Sequence, residues 1–150
     1  MKLADALQPV SLRFLDTAPV IYYVERNPKY VPVVDEVFER MDRGTLPVVT
    51  SPITLLECLV VPCRLGQITV QLAFRDLLVH GPGVSFVRVD ETVAQRAAEL
   101  RAKYNLALAD ACQVATALVA GCNALLTNDV ALKRVTELMI LVLDELEITP

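Results

Sequence analysis

Residues 46–57 of the chain read LPVVTSPITLLE, a short apolar run followed by the signals that begin a helix. The run at 46–50 predicts a buried β-strand. Ser51 then provides a hydroxyl that can cap a helix, and Pro52 suits the first helical position because that position needs no N–H donor. We therefore predict a strand that passes directly into a helix, which extends to about residue 64 and is strained or interrupted at Pro62.

The alternation of strand and helix continues in both directions from this stretch. Further strands are predicted at 11–15, 84–89, 124–127 and 139–143, and further helices at 19–26, 31–43, 69–79, 91–103, 108–120 and 130–138. Such alternation predicts an α/β fold with a mostly parallel sheet and helices on both faces. In sheets of this kind the ligand site lies at the carboxyl ends of the strands.

Length, charge and composition narrow the class of protein. The 150 residues suit one domain in which residues 1–10 form a short extension, and the net charge of -4 is unlike that of a basic nucleic-acid-binding surface. The first 15 residues lack the long apolar run of a signal peptide, and the stretch 104–128 is too polar for a membrane span, so we expect a cytoplasmic protein. The four cysteines lie in apolar surroundings without a C-x-x-C pair, which favours buried free thiols.

Four acidic residues stand alone in apolar stretches of the sequence. They are Asp16, Glu57, Asp110 and Asp129. An unpaired carboxylate is costly to bury, and no isolated Lys or Arg lies in a matching stretch to neutralise these four. A hard divalent cation is the simplest partner that they can share, because Mg²⁺ prefers carboxylate oxygens together with water and phosphate oxygens. We therefore expect the four side chains to converge on a metal site.

Each acid also has a structural interpretation. Asp16 and Asp129 could cap the helices that follow them, and Asp110 could interact with the helix dipole from a first turn. Glu57 lies past the first turn of its helix, so capping explains it less well. All four being structural at once is a greater coincidence than any single one.

Three polar residues adjoin the acids and are candidates for orienting water or a phosphate. Thr17 follows Asp16, and Thr127 and Asn128 precede Asp129. Ordinary turn and capping chemistry explains Thr and Asn at strand ends equally well, so both interpretations stay open.

Taken together, the motifs resemble those of a known family. They are FLDT at 14–17, SPITLLE at 51–57, LADA at 108–111 with ATA at 115–117, and LTND at 126–129. In this order and spacing the sequence resembles a PIN domain, and more narrowly the VapC-type toxins of bacterial toxin–antitoxin pairs. The resemblance implies a three-layer α/β/α sandwich with a central, mostly parallel sheet.

The resemblance also implies an activity. It implies Mg²⁺ or Mn²⁺ bound by the four acids, with Asp16 and Asp110 as direct ligands and with Glu57 and Asp129 binding a second ion or its waters. It further implies endonucleolytic cleavage of RNA by metal-assisted hydrolysis, a homodimer, and inhibition by a cognate antitoxin.

Two other classes of function compete with a nuclease. A PIN fold could serve only as a binding module, although a degenerate site has no reason to keep four isolated charges. A phosphoaspartate phosphatase needs a second Asp two residues after Asp16, where the chain has Ala18. A receiver domain needs adjacent acids early in the chain and a well-placed Lys, and neither is evident.

Overall fold

The computed structural model describes residues 1–7 and 12–148, which form a parallel sheet between two layers of helices. The strands are β1 (Arg13–Leu15), β2 (Val48–Thr50), β3 (Val84–Phe86), β4 (Ala124–Thr127) and β5 (Met139–Val142). Their order across the sheet is β3-β2-β1-β4-β5, and every strand pair is parallel. The predicted α/β architecture is therefore confirmed.

Helices join the strands and cover the sheet. They are α1 (Leu3–Leu7), α2 (Thr17–Val24), α3 (Val31–Asp42), α4 (Pro52–Arg64), α5 (Ile68–His80), α6 (Glu91–Tyr104) and α7 (Leu108–Val119). In the described part of the chain, no helix is both long and apolar enough to cross a membrane.

The two faces of the sheet contribute to two separate cores because side chains alternate along each strand. Leu15 and Leu126 point into a core shared with α1 to α5. Phe14 and Leu125 point into the other core, beneath α6 and α7. Both faces are thus buried, which explains why the strand sequences are almost continuously apolar.

The strand-to-helix passage predicted within 46–64 is confirmed, with the strand limited to Val48–Thr50. The hydroxyl of Ser51 accepts hydrogen bonds from the N–H groups of Ile53 and Thr54, at 3.1 and 3.3 Å, and so caps α4. The helix continues through Pro62 to Arg64 without interruption. Pro62 lies so close to the end of α4 that few helical hydrogen bonds remain for it to disturb.

Three sequence predictions need correction. The helix predicted at 130–138 is only a 3₁₀ turn, Val130–Arg134, after which the chain turns extended. The third strand ends at Phe86 instead of continuing to 89. All four cysteines are free as expected, but only Cys58 and Cys122 are buried, whereas Cys112 is partly buried and Cys63 is exposed. The first strand begins at Arg13, and the predicted position Ser11 lies outside the described residues.

Residues 1–7 pack against the domain. Leu3, Ala6 and Leu7 of α1 are buried in the core on one face of the sheet. The N–H of Leu3 donates to the carbonyl of Glu147 at 2.7 Å, beside a parallel bridge between Lys2 and Glu147. The segment therefore covers the sheet at the edge formed by β5.

Candidate active site

The strand order places a crevice between β1 and β4, at the carboxyl ends of the sheet. From β1 the chain builds outward through β2 to β3, and then crosses to the other side of β1 to form β4 and β5. Ligands bind at such a switch point in open parallel sheets, because the helices that follow the two strands diverge there. Asp16 directly follows β1, and Asp129 follows β4 after one intervening residue.

The other two acids come from helices that begin at the same edge. Glu57 lies on α4, which follows β2, and Asp110 lies in the first turn of α7. The negative charges of Asp16, Asp129 and Glu57 all act on Asp110. They raise the pKa of Asp110 together with burial, which is the largest cause, while Arg134 lowers it. The structure therefore brings the four carboxylates into one electrostatic neighbourhood.

Asp16 is held by neutral hydrogen-bond donors. Its side chain makes no capping hydrogen bond to α2, although it occupies the N-cap position. Instead, the hydroxyl of Thr127 donates to one carboxylate oxygen at 2.7 Å, and the amide of Gln113 donates to the other at 3.4 Å. Hydrogen bonds of this kind orient a carboxylate while leaving its charge available to a cation.

Glu57 is oriented in a similar way from the next strand end. The hydroxyl of Thr17 donates to a carboxylate oxygen of Glu57 at 2.9 Å. Thr17 and Thr127 thus each donate directly to a carboxylate, and their role in orienting water or a phosphate stays a prediction. No described Lys or Arg forms an ion pair with any of the four acids.

Asp129 and Asn128 have local contacts of their own. A carboxylate oxygen of Asp129 accepts from the N–H of Ala131 at 2.9 Å, so Asp129 caps the 3₁₀ turn while its side chain stays exposed. The amide nitrogen of Asn128 donates to the hydroxyls of Tyr22 and Tyr30. The amide nitrogen of Asn128 therefore has tyrosine partners, and a role of Asn128 in orienting water or a phosphate stays a prediction.

A buried polar chain beneath the site was missed by the sequence reasoning. The amide nitrogen of Gln113 donates to Thr54 at 2.7 Å, and its oxygen accepts from Ser51 at 2.6 Å. The hydroxyl of Thr54 donates in turn to the carbonyl of Leu15 at 3.2 Å, immediately before Asp16. Gln113 is 1% exposed. The signal that identified the acids, a polar residue alone in an apolar stretch, would also have identified Gln113.

The carboxylate oxygens of the crevice are the type of ligand atom that suits a hard divalent cation. Carboxylate oxygens without competing basic partners are the ligands that Mg²⁺ and Mn²⁺ prefer. As the side chains are placed, no three Asp, Glu, His or Cys residues of the described ranges are arranged to share one metal ion. Mutual repulsion of like charges favours such a spread arrangement in a metal-free protein.

Solved structures with the same fold are numerous. VapBC2 from Rickettsia felis, bound to a promoter DNA fragment, is 16% identical over 86% of this chain and 96% of that chain, with a TM-score of 0.68. FitAcB from Neisseria gonorrhoeae is 22% identical over 89% and 99% of the two chains, with a TM-score of 0.64. VapC20 from Mycobacterium tuberculosis, a toxin that cleaves the sarcin-ricin loop, is 16% identical over 75% and 86%, with a TM-score of 0.62.

Sequence comparison is consistent with these structural likenesses. No curated protein sequence matches the chain significantly. The model of the PIN domain family, however, matches residues 13–138, a range that includes β1 to β4 and all four acids of the crevice. The fold, the carboxylates at its switch point and this match together establish that the chain belongs to the PIN domain family.

Proposed function

We propose that the protein is a divalent-metal-dependent endoribonuclease and the toxin of a toxin–antitoxin pair. The observation that carries this proposal is the meeting of Asp16, Glu57, Asp110 and Asp129 at one crevice without a basic ion-pair partner. Membership of the PIN family and the likeness to RNA-cleaving VapC20 support a nuclease over the other classes considered.

The four carboxylates would hold Mg²⁺ or Mn²⁺. When bound, the cation supplies Lewis acidity and lowers the pKa of water, which are the requirements of phosphodiester hydrolysis. The chain itself supplies orientation: Thr127 and Gln113 fix both oxygens of Asp16, and Thr17 fixes Glu57. Because these donors are neutral, they position the carboxylates without offsetting the negative charge that attracts the cation.

Cleavage assays test this proposal. We expect the purified protein to cleave RNA in Mg²⁺ or Mn²⁺ and to stop in excess EDTA, and we expect Asp16→Asn to lower the rate by about 100-fold or more. Asp76→Asn is the matched control, since Asp76 is an exposed acid on α5 outside the crevice. Cleavage that continues in EDTA, or that survives Asp16→Asn unchanged, would refute the metal mechanism.

An apolar surface beside the site supports the proposed antitoxin partner. A groove of about 460 Å³ lies along α4 and is lined by Pro52, Leu55, Leu56, Leu59, Val60 and Cys63. Leu56 is 57% exposed and adjoins Glu57 in sequence. Because the groove is apolar and the neighbouring crevice is acidic, an amphipathic helix followed by a basic side chain would complement both. We propose that the antitoxin presents such a segment.

A substitution in the apolar groove tests the partner proposal, because it should weaken inhibition by the antitoxin without changing catalysis. We expect Val60→Glu to weaken inhibition of cleavage by the co-expressed antitoxin at least tenfold while leaving cleavage by the free protein unchanged, because a charge is buried against an apolar helix. Val119→Glu is the control, since the two valines are exposed to a similar degree, 41% and 43%. Equal inhibition of both variants would place the antitoxin elsewhere. We also propose a homodimer, which light scattering of the free protein checks.

A further inference from the structure

A hydrogen-bonded cluster of side chains surrounds Asn128, the residue before Asp129, and its members come from four segments of the chain. Asn128 donates from its amide nitrogen to the hydroxyls of Tyr22 and Tyr30, at 3.2 and 3.0 Å. The hydroxyl of Tyr30 donates to a carboxylate oxygen of Asp144 at 2.8 Å. The N–H of Asp144 donates back to the amide oxygen of Asn128 at 3.1 Å. We call these four residues the tyrosine anchor.

The two rings of the tyrosine anchor form a rigid surface. Their centroids are 4.0 Å apart and their planes differ by 8°, so the rings are stacked. Lys29 approaches the ring of Tyr30 at 4.9 Å and pairs with Asp144 at 3.3 Å. The stacked rings also pack against the core on that face of the sheet. The anchor is therefore fixed to the body of the domain.

The loop that carries Asp129 depends on contacts from the residues before it. Thr127 is buried and bonds to Asp16, and its hydroxyl also accepts from the N–H of Asp129 at 3.1 Å. Asn128 bonds to the tyrosine anchor on the other side of the loop. Asp129 itself is exposed, and the segment after it is only a 3₁₀ turn. Contacts of Thr127 and Asn128 thus hold the backbone that leads into Asp129, and the N–H of Ala131 holds its carboxylate from the other side.

We propose that Asn128 is a positioning residue that acts through Tyr22 and Tyr30 to hold Asp129 in register with Asp16 and Asp110. The inference rests on the nuclease function proposed above and assigns Asn128 a role in it. The hydrogen-bonding capacity of the amide supports the assignment. Its nitrogen has two hydrogens, and each has a tyrosine oxygen as acceptor, so no donor remains for water or a phosphate at the reacting centre.

Removing the two acceptors without touching Asn128 tests this role. The double variant Tyr22→Phe/Tyr30→Phe keeps both rings and their stacking but removes the hydroxyls. We expect its kcat for RNA cleavage to fall on the order of tenfold to a hundredfold with KM nearly unchanged, because a misplacement of about 1 Å costs that much. Asn128→Ala should show the same split, and combining it with the double variant should cause little further loss.

Two controls keep the test independent of folding. Tyr23→Phe removes a hydroxyl from the same helix, where the ring stacks on Phe38 at 3.9 Å, and should cleave as wild type does. All rates are measured well below each variant's melting temperature. Titration of Mn²⁺ by calorimetry gives a readout besides activity, and we expect weaker binding in the double variant than in Tyr23→Phe.

The outcomes distinguish this inference from the proposed function. If wild type cleaves RNA and the tyrosine double variant retains full kcat and Mn²⁺ affinity while Asn128→Ala loses them, then Asn128 acts directly and the positioning role is refuted. If the losses of Asn128→Ala and the double variant multiply in the combined protein, the role is also refuted. Wild type that cleaves no RNA with either cation would refute the proposed function and this inference together.

Discussion

Asp110 is the carboxyl group of the crevice whose ionised form is destabilised by its surroundings. Burial and the charges of Asp16, Asp129 and Glu57 raise its pKa in the folded, metal-free protein. A carboxyl with a raised pKa destabilises the fold once it is ionised, so its cost is full above the folded pKa and absent below the unfolded one. Stability of the metal-free protein should therefore improve as the pH falls through this interval.

The variant Asp110→Asn isolates this effect because it keeps the shape of the side chain. We expect the metal-free variant to exceed wild type in free energy of unfolding near pH 7 by about 1 kcal/mol at most, since solvent screens charges in a half-exposed site. The difference should shrink as the pH falls from the raised pKa of Asp110 to the ordinary pKa of an Asp, and it should be absent below that. Chemical denaturation in EDTA across this pH range measures it. A variant less stable than wild type at pH 7 would instead make Asp110 a structural residue.

At the same scale, the sequence identified the charged residues of the candidate site more readily than the neutral ones. The isolation of the four acids in apolar stretches was visible because burying a charge needs a special reason. Gln113 obeys the same logic, but a neutral amide costs less to bury and is more easily overlooked. The partners of Asn128 could not be predicted, since Tyr22 and Tyr30 lie about 100 positions away, as the separations of 106 and 98 show.

At the scale of elements, helices with strong end signals were predicted well. Ser51 and Asp90 cap α4 and α6 with side-chain hydrogen bonds, and the cap at Ser51 is the one that the sequence analysis predicted. The segment after Asp129 shows where periodicity misleads. Leu132, Val135 and Leu138 are spaced like one face of a helix and all are buried, yet only the first lies in the 3₁₀ turn. Val135 and Leu138 are buried although the chain after Arg134 is not helical. Strand β5 begins immediately after Leu138.

Helix α1 could not be predicted from its own short sequence. Five residues are too few for an isolated helix in water, so tertiary contacts must stabilise it. Below it lies Arg13, which is 2% exposed and donates to the carbonyl of Leu7 at the end of α1. Burial, and the nearby charge of Arg40 to a lesser degree, lower the pKa of Arg13 to about 10. The helix therefore both fills the core and shields a cation.

Truncating Leu3 measures how much α1 contributes. Leu3 is 1% exposed, and we expect Leu3→Ala to lower the free energy of unfolding by about 2–3 kcal/mol, the lower part of the range for buried leucines, because a terminal helix can relax into the space. RNA cleavage should persist at temperatures where the variant is folded. Thermal melts with Leu72→Ala as control give the comparison, since Leu72 is 55% exposed. Equal melts would show that α1 adds little.

At the scale of the whole molecule, the strand order decides where function lies. Alternating strands and helices predicted a parallel sheet, but the order β3-β2-β1-β4-β5 is a property of the assembled chain. That order puts the ends of β1 and β4 side by side, which is why acids 113 positions apart, at 16 and 129, share one crevice. Local sequence patterns specify each element, whereas burial of both faces selects their arrangement.

The stacked tyrosines give the protein a built-in optical reporter. The chain has four tyrosines and no tryptophan, so its near-ultraviolet circular dichroism arises from tyrosine with a smaller part from phenylalanine. Two of the four tyrosines, Tyr22 and Tyr30, are stacked, and both accept hydrogen bonds from Asn128, the residue before Asp129. Coupled ring transitions respond to small rotations of either ring. A movement of Asn128 that shifts either ring can therefore be followed by near-ultraviolet circular dichroism in the unmodified chain, without a dye or an introduced fluorophore.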